Sequence, residues 1–365
     1  MAGWIEQARE RIGDLIGSGV GLVVLAGLAV VLAAVAFFAQ RASGRQRRAG
    51  GAGAGQEDTG PKAARLVADT LAALRGGPEF DAAAFKRAER IEEQGRHLFH
   101  AVNALLLLAS GWSRSARAIE PALSALRSGD TGPAARVLET LAASMTATES
   151  GDPISGAQLL RHLAAVIFLR DPAGALAPAR KAAELAPAQA LAWSLLAIVA
   201  EDLADHDLAK AACEAVLKLG GGSAGQGLLA GAVGTLGEIH LARGDLERAE
   251  EAFRIALTHQ AGLARPDSMV RHYRSLAQVE MARGDWGRAG EIIDKAIAIE
   301  ASLGHREGMA DLELQAGLIA QRRGELSVAF ARWAKARQLY ETAGAGDKLE
   351  ALDRLIARSL KEGAA

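Results

Sequence analysis

The chain has 365 residues, half of them apolar and only 4% aromatic, with a formal charge of −1. That length allows a large core or an extended solenoid. Beyond residue 61 the balance of 36 basic to 38 acidic residues carries no polyanion signature, so no nucleic-acid partner is expected. One cysteine, Cys213, excludes an intrachain disulfide and a cysteine-rich zinc site, and at an inner helix position it reads as a buried thiol. Ala supplies much of the apolar count; it is the best helix former and permits close helix–helix approach. β-Branched runs outside 15–40 are very short. The expected class is all-α.

Residues 1–14 place Trp4, Ile5, Ala8 and Ile12 on one side and Glu6, Arg9, Arg11 and Asp14 on the other. This is the pattern of an amphipathic juxtamembrane segment with Trp4 at headgroup level, or of a plain extension of the next helix. Residues 15–40 carry no charge. The stretch 17–39 would span about 35 Å as a helix, enough to cross a hydrocarbon core of about 30 Å, so a transmembrane helix is expected. Gly17-x-x-x-Gly21 offers a packing face that leaves a homo-oligomer open. Ala34-Val35-Ala36 resembles a signal cleavage site, but the apolar run is too long for a signal peptide, so the anchor is expected to stay uncleaved. Arg41, Arg45, Arg47 and Arg48 follow the span, against Arg9 and Arg11 before it, which puts the C-terminal side in the cytoplasm. The Ala- and Arg-rich, Lys-poor composition points to a high-GC bacterial source, hence an inner membrane.

Residues 41–61, Gly-, Ala- and Arg-rich with no apolar period, read as a flexible linker. Residues 62–114 read as an N-terminal helical cap. Its first helix, 62–76, has the stripe Leu66, Val67, Leu71 and Leu74. Its second, 80–111, runs unbroken from a charged half, KRAERIEEQGR, into HLFHAVNALLLLASG. Ala104–Ala109 is apolar on all sides and is expected to be buried. His97 and His100 share a face but lack a third ligand, so no metal site is expected.

Residues 241–256 read LARGDLERAEEAFRIA, 281–296 read MARGDWGRAGEIIDKA and 321–336 read QRRGELSVAFARWAKA. Gly244, Gly284 and Gly324 recur at a spacing of 40, each followed by an acid, with Ala249, Ala289 and Ala329 five residues on. Self-similarity at such a period marks stacked repeats. Shorter copies occupy 156–189 and 190–223, and a weaker one, 115–148, keeps Gly129-Asp130 and Ala134. With 230–269, 270–309 and 310–349 the copies cover 115–349. The pattern resembles the tetratricopeptide repeat (TPR), a two-helix unit of about 34 residues. The resemblance implies a right-handed α-solenoid of TPR-like helix pairs, preceded here by one transmembrane helix. The three later copies exceed 34 residues, which implies helices longer by about a turn. GGGSAGQG at 220–227 reads as a loop that breaks or flexes the stack. Residues 350–365 read as a C-terminal capping helix and tail, with Leu352, Leu355, Ile356 and Leu360 on one face.

No Walker loop, G-x-S-x-G, H-E-x-x-H or cysteine cluster is present, so no enzyme activity and no cofactor is expected. In the family, first helices line the concave groove that holds partners. The resemblance maps that surface to Glu238, then Arg271, Arg274 and Gln278, then Asp311 and Gln321. Arg271 and Arg274, at i and i+3, would meet an acidic peptide. The earlier copies are greasier there: Leu160, Ala164, Ile167, Leu191 and Ile198 line either the groove or the space between layers. The reading is a membrane-anchored scaffold binding a protein or peptide partner. The alternatives are an envelope-side (periplasmic) assembly or chaperone-associated factor, and a helical enzyme or small-molecule sensor with a deep polar cavity.

Overall fold

The computed structural model describes residues 59–76, 81–111, 116–146, 153–220, 225–261 and 266–363. The amphipathic segment 1–14, the apolar stretch 15–40 and the linker up to residue 58 lie outside them. Among the described residues there are sixteen helices and no strand, and no helix is long and apolar enough to cross a membrane.

Three helices come first: α1 (Thr59–Gly76), α2 (Ala82–Gly95) and α3 (His97–Gly111). Six helix pairs follow. They are α4 (Ala116–Arg127) with α5 (Gly132–Thr146), α6 (Pro153–Phe168) with α7 (Pro172–Leu185), and α8 (Ala190–Asp202) with α9 (His206–Lys218). Then come α10 (Gly225–Ala242) with α11 (Leu246–Ala261), α12 (Pro266–Arg283) with α13 (Trp286–Leu303), and α14 (Arg306–Arg322) with α15 (Leu326–Ala343). The last helix is α16 (Gly346–Gly363). The first helices of the later pairs have 17 or 18 residues against 13 in α8, the extra turn implied by the 40-residue period.

The repeated phrase encodes the turn inside each pair. Gly244, Gly284 and Gly324 take φ of 77°, 82° and 77°, a region glycine enters without steric cost. The amide of the following acid then donates to the carbonyl five residues back, Asp245 to His240 at 2.9 Å and Asp285 to Glu280 at 2.9 Å. This closes the first helix with a Schellman turn. The same acid caps the second helix: Asp285 Oδ1 accepts from Arg288 N at 2.9 Å. Because the phrase marks the turn and not the start of a pair, the frames beginning at 230, 270 and 310 cut through α10, α12 and α14. The pairs themselves begin four or five residues earlier, at Gly225, Pro266 and Arg306.

Packing within a pair follows the same period. Gly237 leaves room for the Phe253 ring, whose Cε1 would lie 2.6 Å from a Cβ at 237. Forty residues on, the equivalent positions Ala277 and Ile293 are both buried in one apolar cluster; forty further, Gly317 sits under the Trp333 indole. When the second helix carries a larger side chain, the first carries a smaller one, so helix spacing is kept at native density.

Several boundaries differ from the sequence expectations. The span 80–111 is not one helix: Arg96 at φ 53° ends α2, donating its amide to Glu92 O at 3.0 Å. Gly95 permits this, since a Cβ there would stand 2.5 Å from His97 Nε2 as the ring folds back. Within 104–109, Leu105 is buried but Leu107 is 48% exposed, because α1, α4 and α6 cover α3 on part of its surface only. The linker reading stops short of residue 61, since α1 starts at Thr59, whose Oγ1 bonds Asn103 Oδ1 at 2.7 Å. The glycine-rich loop does not interrupt the core: Val216 before it and Leu228 and Ala232 after it share one apolar cluster. On α16, Leu352 is buried, Leu355 and Ile356 pack beside it, and Leu360 is left 56% exposed.

Candidate peptide-binding groove

First helices of neighbouring pairs touch one another, α6 on α8, α8 on α10 and α10 on α12, so they line the inner side of the stack. This wall has two chemically different halves. In α8 and α10 nearly every position from Ala192 to Ala200 and from Leu228 to Ile239 is buried or half-buried. Helices this apolar all round need cover on every side, and α2 supplies it. It packs on α6, α8 and α10 with Ala84, Ala88, Ile91 and Gln94 buried beneath it. Leu160, Ala164 and Ile198 are therefore buried wall residues, while Ile167 and Leu191 stay half-buried.

Polar contacts fix the docked helix. Arg90 of α2 forms an ion pair with Glu201 at the end of α8; the side chains are 13% and 20% exposed. Burial, and then the nearby Arg271 cation, push the Arg90 guanidinium down to about 9. Arg87 donates through Nε and Nη2 to Leu169 O, at 3.2 and 2.9 Å. Gln94 lies over Gly231 of α10, its Cβ 3.3 Å from where a side chain at 231 would begin. On the side of α2 away from the wall, Glu89 is exposed. Partial desolvation by the surrounding protein raises its carboxyl, opposed by Arg75, with Glu307 and Lys348 also in electrostatic reach. Arg75 of α1 itself reaches Glu307 of α14, Nη1 to Oε2 at 3.8 Å, so the first and the late helices face each other across the inner space.

The open half belongs to α12 and α14. Arg271, Arg274 and Gln278 share one face of α12, the first half-buried and the other two exposed. Neither guanidinium pairs with an acid among the described residues. The other sequence-derived candidates are engaged within the chain. Glu238 of α10 accepts from Ser275 Oγ at 2.6 Å. Asp311 accepts from Tyr340 Oη at 2.6 Å and from Lys348 Nζ at 2.8 and 2.9 Å. Gln321 donates to Ser359 Oγ of α16 at 3.1 Å. Asp311 and Gln321 thus tie α14 to its pair mate α15 and to the capping helix. Sequence reasoning missed Arg87, Arg90 and Glu201. The available signal was the uniform greasiness of the first helices in the middle copies, which demands a cover, and the lone stripe Ala84, Ala88, Ile91 in an otherwise charged helix.

Away from the groove, Arg161 Nη1 stands 3.3 Å from His97 Nδ1 in the buried seam between α6 and α3. Cys213 is fully buried, and burial pushes its thiol up to about 12, so it is an inert packing group. Among the described residues no group of three or more His, Cys, Asp or Glu is placed to hold a metal ion.

No family model matches the chain, and no curated protein matches it. Solved structures similar to it are TPR-like repeat proteins. MamA 41-end from Desulfovibrio magneticus RS-1 is 19% identical over 53% of this chain and 97% of its own, with a TM-score of 0.42. BtubC (BKLC) from P. vanneervenii is 18% identical over 59% and 89%, with a TM-score of 0.49. A Rap protein complexed with Competence and Sporulation Factor is 14% identical over 83% and 97%, with a TM-score of 0.46. All three scores lie below 0.5, so the architecture rests on the helix pairs of the chain itself: an all-α stack of TPR-like repeats.

Proposed function

We propose that the protein is a membrane-anchored scaffold that holds an acidic partner peptide on the open half of its inner wall. The observation that carries this is the α12 face bearing Arg271, Arg274 and Gln278. Two guanidiniums on one wall, three residues apart and without acid partners among the described residues, are the arrangement that forks onto carboxylates. The uncharged stretch 15–40 supports the anchor, and the arginines after it support a cytoplasmic position for the repeats. Binding, and not catalysis, is the role proposed: an anchor and a tether raise the local concentration of whatever the wall holds.

The test is selection of random dodecapeptides on the immobilised chain. Enriched peptides are expected to be acidic, and their affinity is expected to fall more than tenfold in the Arg271→Glu/Arg274→Glu variant. Enriched peptides that bind that variant unchanged would refute the assignment. Reporters active on only one side of the membrane, fused after Ala365, test the anchor. A cytoplasmic signal in the membrane fraction is expected, and an external signal would move the repeats to the envelope side.

A further inference from the structure

The wall already has one occupant. Helix α2 has 14 residues, short enough to be marginal as an isolated helix. Its fully buried side chains are mostly small, with Ile91 the one large aliphatic among them, and Phe85 packs half-buried beside the core. Such a face buries little apolar area compared with the aromatic contacts inside the pairs, Phe253 over Gly237 and Trp333 over Gly317. Its central charge is imperfectly placed too, because Arg90 meets Glu201 but also feels Arg271 of α12. The wall therefore presents an acid, Glu201, under the helix and the cation Arg271 within reach of Arg90, with Arg274 one turn further along α12; neither arginine pairs with an acid among the described residues.

We propose that α2 is an exchangeable resident of this groove. Its place can be taken by a partner's amphipathic helix with small residues one turn apart, a basic residue against Glu201 and acidic residues toward Arg271 and Arg274. This is helix-in-groove recognition with the chain's own helix as the resident ligand. As a tethered segment, α2 competes at high effective concentration, so a partner must match its contacts and add the pairing to α12 that α2 lacks. The inference rests on the inner wall being the binding surface proposed above.

The experiment uses the full chain and a fluorescein-labelled synthetic peptide of residues 79–96, read by fluorescence anisotropy. Arg90→Glu sets two carboxylates face to face and is expected to free α2, so that this variant binds the peptide at least tenfold more tightly than the native chain. The converse variant, Gln94→Cys/Gly231→Cys, joins positions whose Cβ atoms would lie 3.3 Å apart, near disulfide range. Oxidised, it is expected to bind the peptide at least tenfold more weakly than when reduced. The proposal is overturned if Arg90→Glu unfolds cooperatively yet gains no binding, or if oxidised and reduced forms bind alike. Loss of cooperative unfolding in Arg90→Glu would also overturn it, because α2 would then be part of the core. Acidic peptides selected through α12 separate the two readings. If they bind normally while the α2 peptide binds neither variant, the exchange fails and the scaffold stands.

Discussion

Ala204 shows what one residue contributes to this stack. It occupies the turn position held by glycine in the later pairs, and it takes φ 57°. For a residue with a Cβ the left-handed region costs about 1–2 kcal/mol, whereas a glycine there gives up about 0.5–1 kcal/mol of backbone entropy. Ala204→Gly should therefore stabilise the protein by roughly 0.5–1 kcal/mol, read as a higher urea midpoint at unchanged slope. A lower midpoint would mean that the turn is not under strain. The position was legible in the sequence, since Ala204-Asp205 aligns with Gly244-Asp245. That the turn keeps its left-handed shape with alanine in it was not, because alanine's own preference is for a right-handed helix.

At the scale of the helix, the acid after each turn decides how well the second helix begins. Asp171, Asp205 and Asp285 accept from an amide three residues on at 2.9, 3.1 and 2.9 Å. Glu325 makes no such bond; its longer side chain pairs with Arg323 at 2.7 Å instead. Asp285→Ala should cost about 1 kcal/mol, and Glu325→Asp should gain a few tenths to about 1 kcal/mol. Both are measured by urea unfolding, and an unchanged midpoint for Asp285→Ala would show that the cap contributes nothing. Caps and turns are readable from sequence because donor and acceptor lie within one turn of each other. The end of α2 was not: it depends on the His97 ring folding back over Gly95, a choice set by what α3 packs against.

Across the whole molecule, three histidines are buried in different helices: His97 in α3, His162 in α6 and His272 in α12. Burial lowers all three, with Arg161 beside His97 and His162, and Arg271 beside His272, whose imidazole falls to about 3. Each is neutral in the folded chain, while in the unfolded chain it takes a proton near pH 6.5. Their stabilising contribution is thus fully present above pH 6.5. It is lost as pH falls toward the folded values, by up to about 1.4 kcal/mol per pH unit for each imidazole. The urea midpoint should be level from pH 8 to 7 and drop steeply between 6.5 and 5, with a shallower drop in His272→Phe. A midpoint that stays level down to pH 5 would contradict the burial of these rings.

The helix pairs, their turns, the extra turn of the later copies and the capping helix were determined by the sequence, since each rests on 3.6-residue periodicity, on φ preference or on a bond within one turn. The α12 face was likewise readable, because Arg271, Arg274 and Gln278 are neighbours on one helix. Tertiary structure alone decided what happens to side chains whose partners are far along the chain. Asp311 is taken by Lys348, Gln321 by Ser359, and Glu238 by Ser275. It also decided that α2 lies in the groove with Arg90 on Glu201. The middle copies announce an apolar inner face, but which segment covers it depends on how the stack curves, and curvature sums small rotations that no single stretch of sequence displays.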